Sequence, residues 1–264
     1  MIKVCGASFN YPGERLLFDN ISFEVPLGET LAILGANGAG KTTFIKCLMN
    51  FLQFKKGDLY IAGKSTEKFS STAFWKVVGY VPQAKSVIFG FSVLEMTVMG
   101  LSPYIGIGRL PQKEEYDQAT NILEKLGLLD IKDASCNQIS GGQLQMALIA
   151  RTLVKHPGIL IMDEPESHLD LKNQMKILNV IEQLNESKSV AVIINTHFPE
   201  HALRVAKNAL LIGRNNHLFG DTRDVVTQAN LSRYFGIDAE VLAHERNGKK
   251  FYSILPISLS PLWN

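Results

Sequence analysis

Gly35-Ala-Asn-Gly-Ala-Gly-Lys-Thr-Thr43 sets glycines at 35 and 40 ahead of a lysine and two hydroxyls. This spacing fits G-x-x-x-x-G-K-[ST], a loop whose backbone N–H groups converge on phosphate oxygens. Glycine lets the backbone approach an anion without a Cβ in the way. Lys41 can reach terminal phosphates, and the Thr42 hydroxyl can ligate Mg²⁺. Asn37, Gly38, Ala39 and Thr43 complete the cradle. A plain connecting turn is the alternative, and the flanking residues argue against it. Further along stand Asp163 and Glu164, adjacent acids before a proline. Asp163 could hold Mg²⁺ directly or through water, and Glu164 could polarise an attacking water. His197 could contact a terminal phosphate or hold that water in place. Gln83 could ligate Mg²⁺ through its amide oxygen or accept from a metal-bound water. Ser140-Gly-Gly-Gln143 is a second possible anion site: Ser140 can cap a helix, and Gly141 and Gly142 allow close backbone approach. Tyr11 could stack on a purine through its ring face, or simply cap a sheet.

These residues need particular elements behind them. Thr30–Leu34 is a short apolar run expected to be a buried parallel strand, and Thr43–Met49 is expected to continue as a helix. Strand, glycine loop and helix start then put a positive dipole end on the phosphate. Ile159–Met162 and Val190–Ile194 are apolar runs ending at Asp163 and near His197. Acids at the carboxyl ends of parallel strands sit where ligands bind. Ile2–Phe9 and Leu16–Val25 are expected to pair as an antiparallel hairpin through the turn at Tyr11-Pro-Gly-Glu14. From about Ser86 to Pro157 the pattern turns helical. Ser92 with Glu95 fits a capping box, Tyr116, Ala119, Leu123 and Leu126 keep helical spacing, and Gly127 supplies a stop. Leu171–Asn185 places Met175, Leu178, Ile181 and Leu184 on one helical face. Asn247-Gly248 signals a hairpin near the end of the chain.

Bulk properties exclude several classes. The 264 residues are 46% hydrophobic and 20% charged, with a net charge of +2, which is ordinary globular composition and too little charge to imply nucleic acid. Cys5, Cys47 and Cys136 have no metal or redox spacing and are expected as reduced residues. The start Met1-Ile-Lys-Val has no basic segment leading into an apolar stretch, so no signal peptide is expected. No apolar run approaches a membrane span.

Taken in order, the motifs resemble those of the ATP-binding cassette (ABC) ATPases across essentially the whole chain. Gly35–Thr43 resembles the Walker A loop, Gln83 the Q-loop, and Ser140–Gln143 the signature motif. Ile159–Glu164 resembles Walker B with its catalytic glutamate, Ser167–Asp170 the D-loop, and His197 the switch histidine. Tyr11 then matches the adenine-stacking aromatic. The resemblance implies an α/β fold: a P-loop ABC ATPase core with a mainly parallel sheet, an N-terminal antiparallel β-subdomain and an inserted helical subdomain. Residues 1–85 and 157–264 would form the core with its hairpin tail, and 86–156 the helical part. It also implies ATP and Mg²⁺, and a head-to-tail homodimer in which each ATP lies between one Walker A and the partner's signature motif. There are departures. Ile139 replaces Leu, Leu144 and Met146 stand where many relatives carry Arg, and Glu166 stands where Thr is common.

Within the family, Glu164-Pro-Glu-Ser-His-Leu-Asp-Leu171, Val98-Met-Gly-Leu-Ser-Pro-Tyr104 and Tyr234-Phe-Gly-Ile-Asp238 resemble importers of iron–siderophore, haem and cobalamin. Molybdate and tungstate importers lie close to that group. An importer subunit implies a separate permease, a periplasmic or lipoprotein binding protein, and a place at the cytoplasmic face of the membrane. A soluble ABC ATPase acting on a cytosolic target is the other class. Val87, Ile88, Phe89 and Phe91 could form a docking groove for a permease helix or pack within the helical part.

Overall fold

The computed structural model describes residues 1–84, 90–106, 108–213 and 216–260, with Lys249 described by its backbone alone. Val87, Ile88 and Phe89 lie outside the described residues. The chain runs β1 (Ile2–Phe9), β2 (Phe18–Val25), β3 (Thr30–Leu34), α1 (Lys41–Leu48), β4 (Lys56–Ile61), β5 (Lys64–Ser65), α2 (Ser71–Val77) and β6 (Val78–Val81). It continues with α3 (Val93–Val98), α4 (Lys113–Lys125), α5 (Gly141–Leu153), β7 (Ile159–Asp163), α6 (Leu171–Ser187), β8 (Ala191–Asn195) and α7 (Pro199–Val205). It ends with β9 (Asn208–Gly213), β10 (Asn216–Asp221), α8 (Thr222–Val225), α9 (Gln228–Phe235), β11 (Ile237–Arg246) and β12 (Lys249–Leu259).

One sheet has the order β10-β9-β3-β8-β7-β6 and is parallel except at its β10 edge. Its inner strands are apolar throughout because both faces are covered; every residue of β3 and β8 is buried. The order places β3, β7 and β8 side by side. The loops that leave their carboxyl ends therefore meet on one edge. A second sheet, β2-β1-β4-β5, is antiparallel and carries the expected hairpin, with its second strand starting at Phe18 rather than Leu16. The hairpin residues at the tail are as expected: Asn247 and Gly248 both have positive φ, and Arg246 pairs with Lys249.

An aromatic cluster ties α1 to the antiparallel sheet. Phe44, wholly buried, meets Phe18 edge-on at 5.1 Å between centroids and Phe54 at 6.0 Å. Burying a Phe side chain contributes roughly 2–3 kcal/mol, so the helix carrying the glycine loop has a firm floor. The helical stretch shows the Ser92–Glu95 capping box, and α5 is buried on most sides. Residues of α5 such as Ala147 and Ile149 share one core with Leu160 and Met162 of β7. One expectation fails on α6. Ile177, Leu178 and Ile181 are buried, but Met175 is exposed and its sulfur meets Arg204. The helix turns Gln174 rather than Met175 toward the loop after β7, because Gln174 Nε2 donates to the Glu166 carbonyl.

Candidate functional site

The glycine loop leaves β3 beneath β9. Gly35 has φ 143°, and a Cβ there would run into the Ile212 carbonyl, so backbone geometry and space both demand glycine. Gly40, at φ 100°, caps α1 in the left-handed region. Lys41 is 5% exposed. Its ammonium donates to the carbonyls of Gly35 at 2.7 Å and Ala36 at 3.0 Å, curling over the loop it follows. Burial pushes its pKa down, while the charges of Glu164 and Asp163 pull it back up. Thr42 is exposed beside it. Tyr11 reaches the same helix start: its hydroxyl lies 3.1 Å from Thr43 Oγ1 and its ring packs edge-on against Phe9.

The second half of the site is made by the ends of β7 and β8. Asp163 accepts from Asn195 Nδ2 at 2.6 Å and from the Tyr80 hydroxyl at 3.4 Å. Burial, reinforced by Asp163, pushes the Tyr80 hydroxyl up to about 12, so it stays a donor. Glu164 adopts φ 48° directly before Pro165, a conformation a non-glycine residue takes at a cost of roughly 1–2 kcal/mol. The bend is held by its N–H donating to the Asn195 carbonyl at 2.9 Å. It turns the carboxylate onto His197: Nε2 and Glu164 Oε1 are 2.6 Å apart. Thr42, Gln83, Asp163 and Glu164 line one cleft of about 550 Å³. A hydroxyl, an amide oxygen and a carboxylate in one cleft are hard oxygen donors, a set that fits Mg²⁺.

A family pattern described as ABC transporter matches residues 18–167. The chain belongs to the ABC transporter family. The cassette is 32% identical over 248 residues to an iron chelatin transport ATP-binding protein of Helicobacter pylori, covering 93% of this chain and 96% of that one. It is 32% identical to the molybdate import ATP-binding protein of Haemophilus influenzae, covering 89% and 87% of the two chains. Among solved structures, an inward-facing metal-chelate type ABC transporter superposes with a TM-score of 0.86 at 30% identity, covering 97% of both chains. The chain is thus an ATP-binding cassette that hydrolyses ATP.

The remaining motif residues of the cassette lie apart from the cleft. Ser140 Oγ accepts from Gln143 N at 3.2 Å, and Gln143 Oε1 accepts from Ser140 N at 2.9 Å, which closes a capping box on α5. Ser140 and Gly141 are exposed. Gly142 is buried against Asn173, whose side chain a Cβ would strike. Asp170 caps α6 by accepting from Asn173 N at 2.8 Å. Residues 140–143 and the 167–170 turn therefore form one surface of this chain, and none of Ser140–Gln143 lines the cleft at Thr42.

Sequence reasoning missed four residues at the site. Tyr80 and Asn195 grip Asp163. Gln145, 1% exposed on α5, donates to the Pro82 carbonyl at 3.1 Å and accepts from Ala84 N at 2.7 Å, bracketing Gln83. Thr196 lies wholly buried and bonds Glu166. A polar residue inside an apolar helix, as Gln145 is, was the one available signal. The others look like ordinary strand-end residues until the strands are paired.

Proposed function

We propose that this cassette is the ATP-hydrolysing subunit of an importer for a metal chelate, an iron–siderophore, haem or cobalamin, working through a separate permease. In this reading it forms a homodimer at the cytoplasmic face of the cell membrane, and a periplasmic or lipoprotein binding protein delivers the cargo. The supporting observation is the likeness to a metal-chelate type transporter over 97% of both chains. Among the described residues no helix is long and apolar enough to cross a membrane, which fits a subunit that drives a separate permease. A molybdate or tungstate importer is the second reading, favoured by the 32% identity to the molybdate import protein.

The proposed roles follow from the geometry. The triphosphate lies along the N–H groups of Gly38–Thr43 at the start of α1. Lys41 exchanges its loop carbonyls for phosphate oxygens. Tyr11 stacks on the adenine. Thr42, Gln83 and Asp163 would hold Mg²⁺, which would neutralise phosphate charge there. Glu164 accepts a proton from the attacking water, and His197 fixes the carboxylate at 2.6 Å and faces the terminal phosphate. Ser140, Gly141, Gly142, Gln143 and Asp170 act on the ATP of a second copy. Triphosphate would hold the pair closed, and hydrolysis would release it. The helical part, 86–156, carries the signature, and the 1–85 and 157–264 core carries the phosphate loop and the acid pair.

Reconstitution tests the reading. The cassette is incorporated with its permease and binding protein into proteoliposomes with internal ATP. Uptake of a ferric siderophore, haem or cobalamin, without molybdate uptake, is the expected result. Molybdate or tungstate uptake would select the second reading. Failure to bind any permease in a pull-down from membranes would point to a soluble ATPase.

A further inference from the structure

Glu166 does not touch the cleft, yet it is the most buried acid near it. It stands where the family resemblance expects Thr, and its side chain is 0% exposed. Oε1 accepts from the Thr196 hydroxyl and faces His201 Nδ1 at 3.4 Å. Oε2 is buried without a partner among the described residues. Stability alone is a poor reason to keep a half-satisfied buried carboxylate, since an apolar group of similar shape is often neutral there or better.

What the carboxylate does hold is the turn that carries His197. The Thr196 hydroxyl donates to Glu166 and accepts from Phe198 N at 3.0 Å, so the residues on both sides of His197 are pinned through one oxygen. Thr196 N donates to the Ile33 carbonyl at 3.1 Å, tying the same turn to the strand that feeds the glycine loop. At the other end, Gln174 Nε2 donates to the Glu166 carbonyl at 3.4 Å, anchoring the turn after β7 to α6. Glu164 lies two residues before Glu166, and His197 lies one after Thr196.

We propose that Glu166 is a positioning residue, whose carboxylate locks the 164–166 turn to the 196–198 turn through Thr196 and so keeps His197 on Glu164. The assignment rests on the reading of His197 and Glu164 as the hydrolytic pair.

The test is steady-state ATPase kinetics of the intact cassette. Glu166→Leu is expected to lower kcat about tenfold while KM for ATP changes less than twofold. Glu166→Gln keeps an acceptor for Thr196 and should regain most of that loss. The decisive comparison is with His197→Ala. The double variant Glu166→Leu/His197→Ala should be no slower than His197→Ala alone, because both remove the same contact. If the two losses multiply, or if KM rises and kcat does not fall, the positioning role is wrong. Should Glu166→Leu fail to fold by circular dichroism, Thr196→Val replaces it in the same cycle with the same criteria. If His197→Ala itself retains parental kcat, the hydrolytic pair is misassigned, a separate failure from additivity in the cycle.

Discussion

At the scale of single residues, backbone strain marks the chemistry. Glu164 is bent into the left-handed region just before a proline, and the bend delivers its carboxylate to His197 at 2.6 Å. In the base role we propose for Glu164, Glu164→Gln keeps the shape but removes the proton acceptor. Turnover should drop by about 10² to 10⁴ while ATP still binds, since loss of a general base is worth that much. Equilibrium nucleotide binding beside a phosphate-release assay checks it, and parental turnover would remove Glu164 from its role. Gly35 makes the opposite point. Gly35→Ala places a methyl against the Ile212 carbonyl at a φ of 143°, so the loop must shift. ATP affinity should fall at least tenfold, read by titration with a fluorescent nucleotide; an unchanged affinity would mean the loop tolerates displacement. Both residue types were legible in the sequence. Their strain was not, because φ is decided by what surrounds them.

At the scale of elements, the end of α5 is coupled to the α2–β6 junction through Lys155. Its ammonium donates to the Trp75 carbonyl at 2.5 Å and the Val78 carbonyl at 2.8 Å. Burial, with the Arg151 charge beside it, pushes its pKa down from 10.5 to about 8. Between those values the unfolded chain keeps a proton that the folded chain has released. Unfolding free energy from this group therefore rises with pH above about 8 and is flat below. From pH 9 upward the Cys47 thiol, pushed up to about 12 by burial, works in the opposite sense, because the unfolded chain then loses the proton first. The Lys155 effect is cleanest between 8 and 9. Urea unfolding should show stability climbing across that window, and Lys155→Met should make the climb shallower, leaving only the part due to other buried amines such as Lys41. A Lys155→Met protein with the parental slope would refute the coupling. The apolar sequence of α5 agrees with its burial, but nothing local to it says which carbonyls Lys155 would capture, since those belong to residues far away in the chain.

At the scale of the whole molecule, the starts of α1 and α5, which we propose as two anion sites, do not share a cleft. Ser140 and Gly141 are exposed on a surface built with Asp170, while Lys41 lies in its own loop. In the homodimer we propose, one chain's signature serves the other's nucleotide. Lys41→Ala and Ser140→Arg should each be nearly inactive as pure proteins. Mixed, they form dimers with one intact composite site, and hydrolysis should return to a substantial fraction of the parent. No recovery, with mixed dimers demonstrated by cross-linking, would overturn the exchange of signatures.

Several things could be read from residue types and spacing alone: the phosphate loop, the acid pair, the alternating strands and helices, and the tail hairpin. Each rests on a local rule, such as a glycine's free φ, an apolar period or a turn dipeptide, which needs no distant partner. Pairing the strands decided the rest. It brought Asn195 and Tyr80 onto Asp163 and closed the Glu166–Thr196 contact between turns thirty residues apart, while the packing of α5 set Gln145 around Gln83. Those contacts depend on sheet order and register, which no single segment carries.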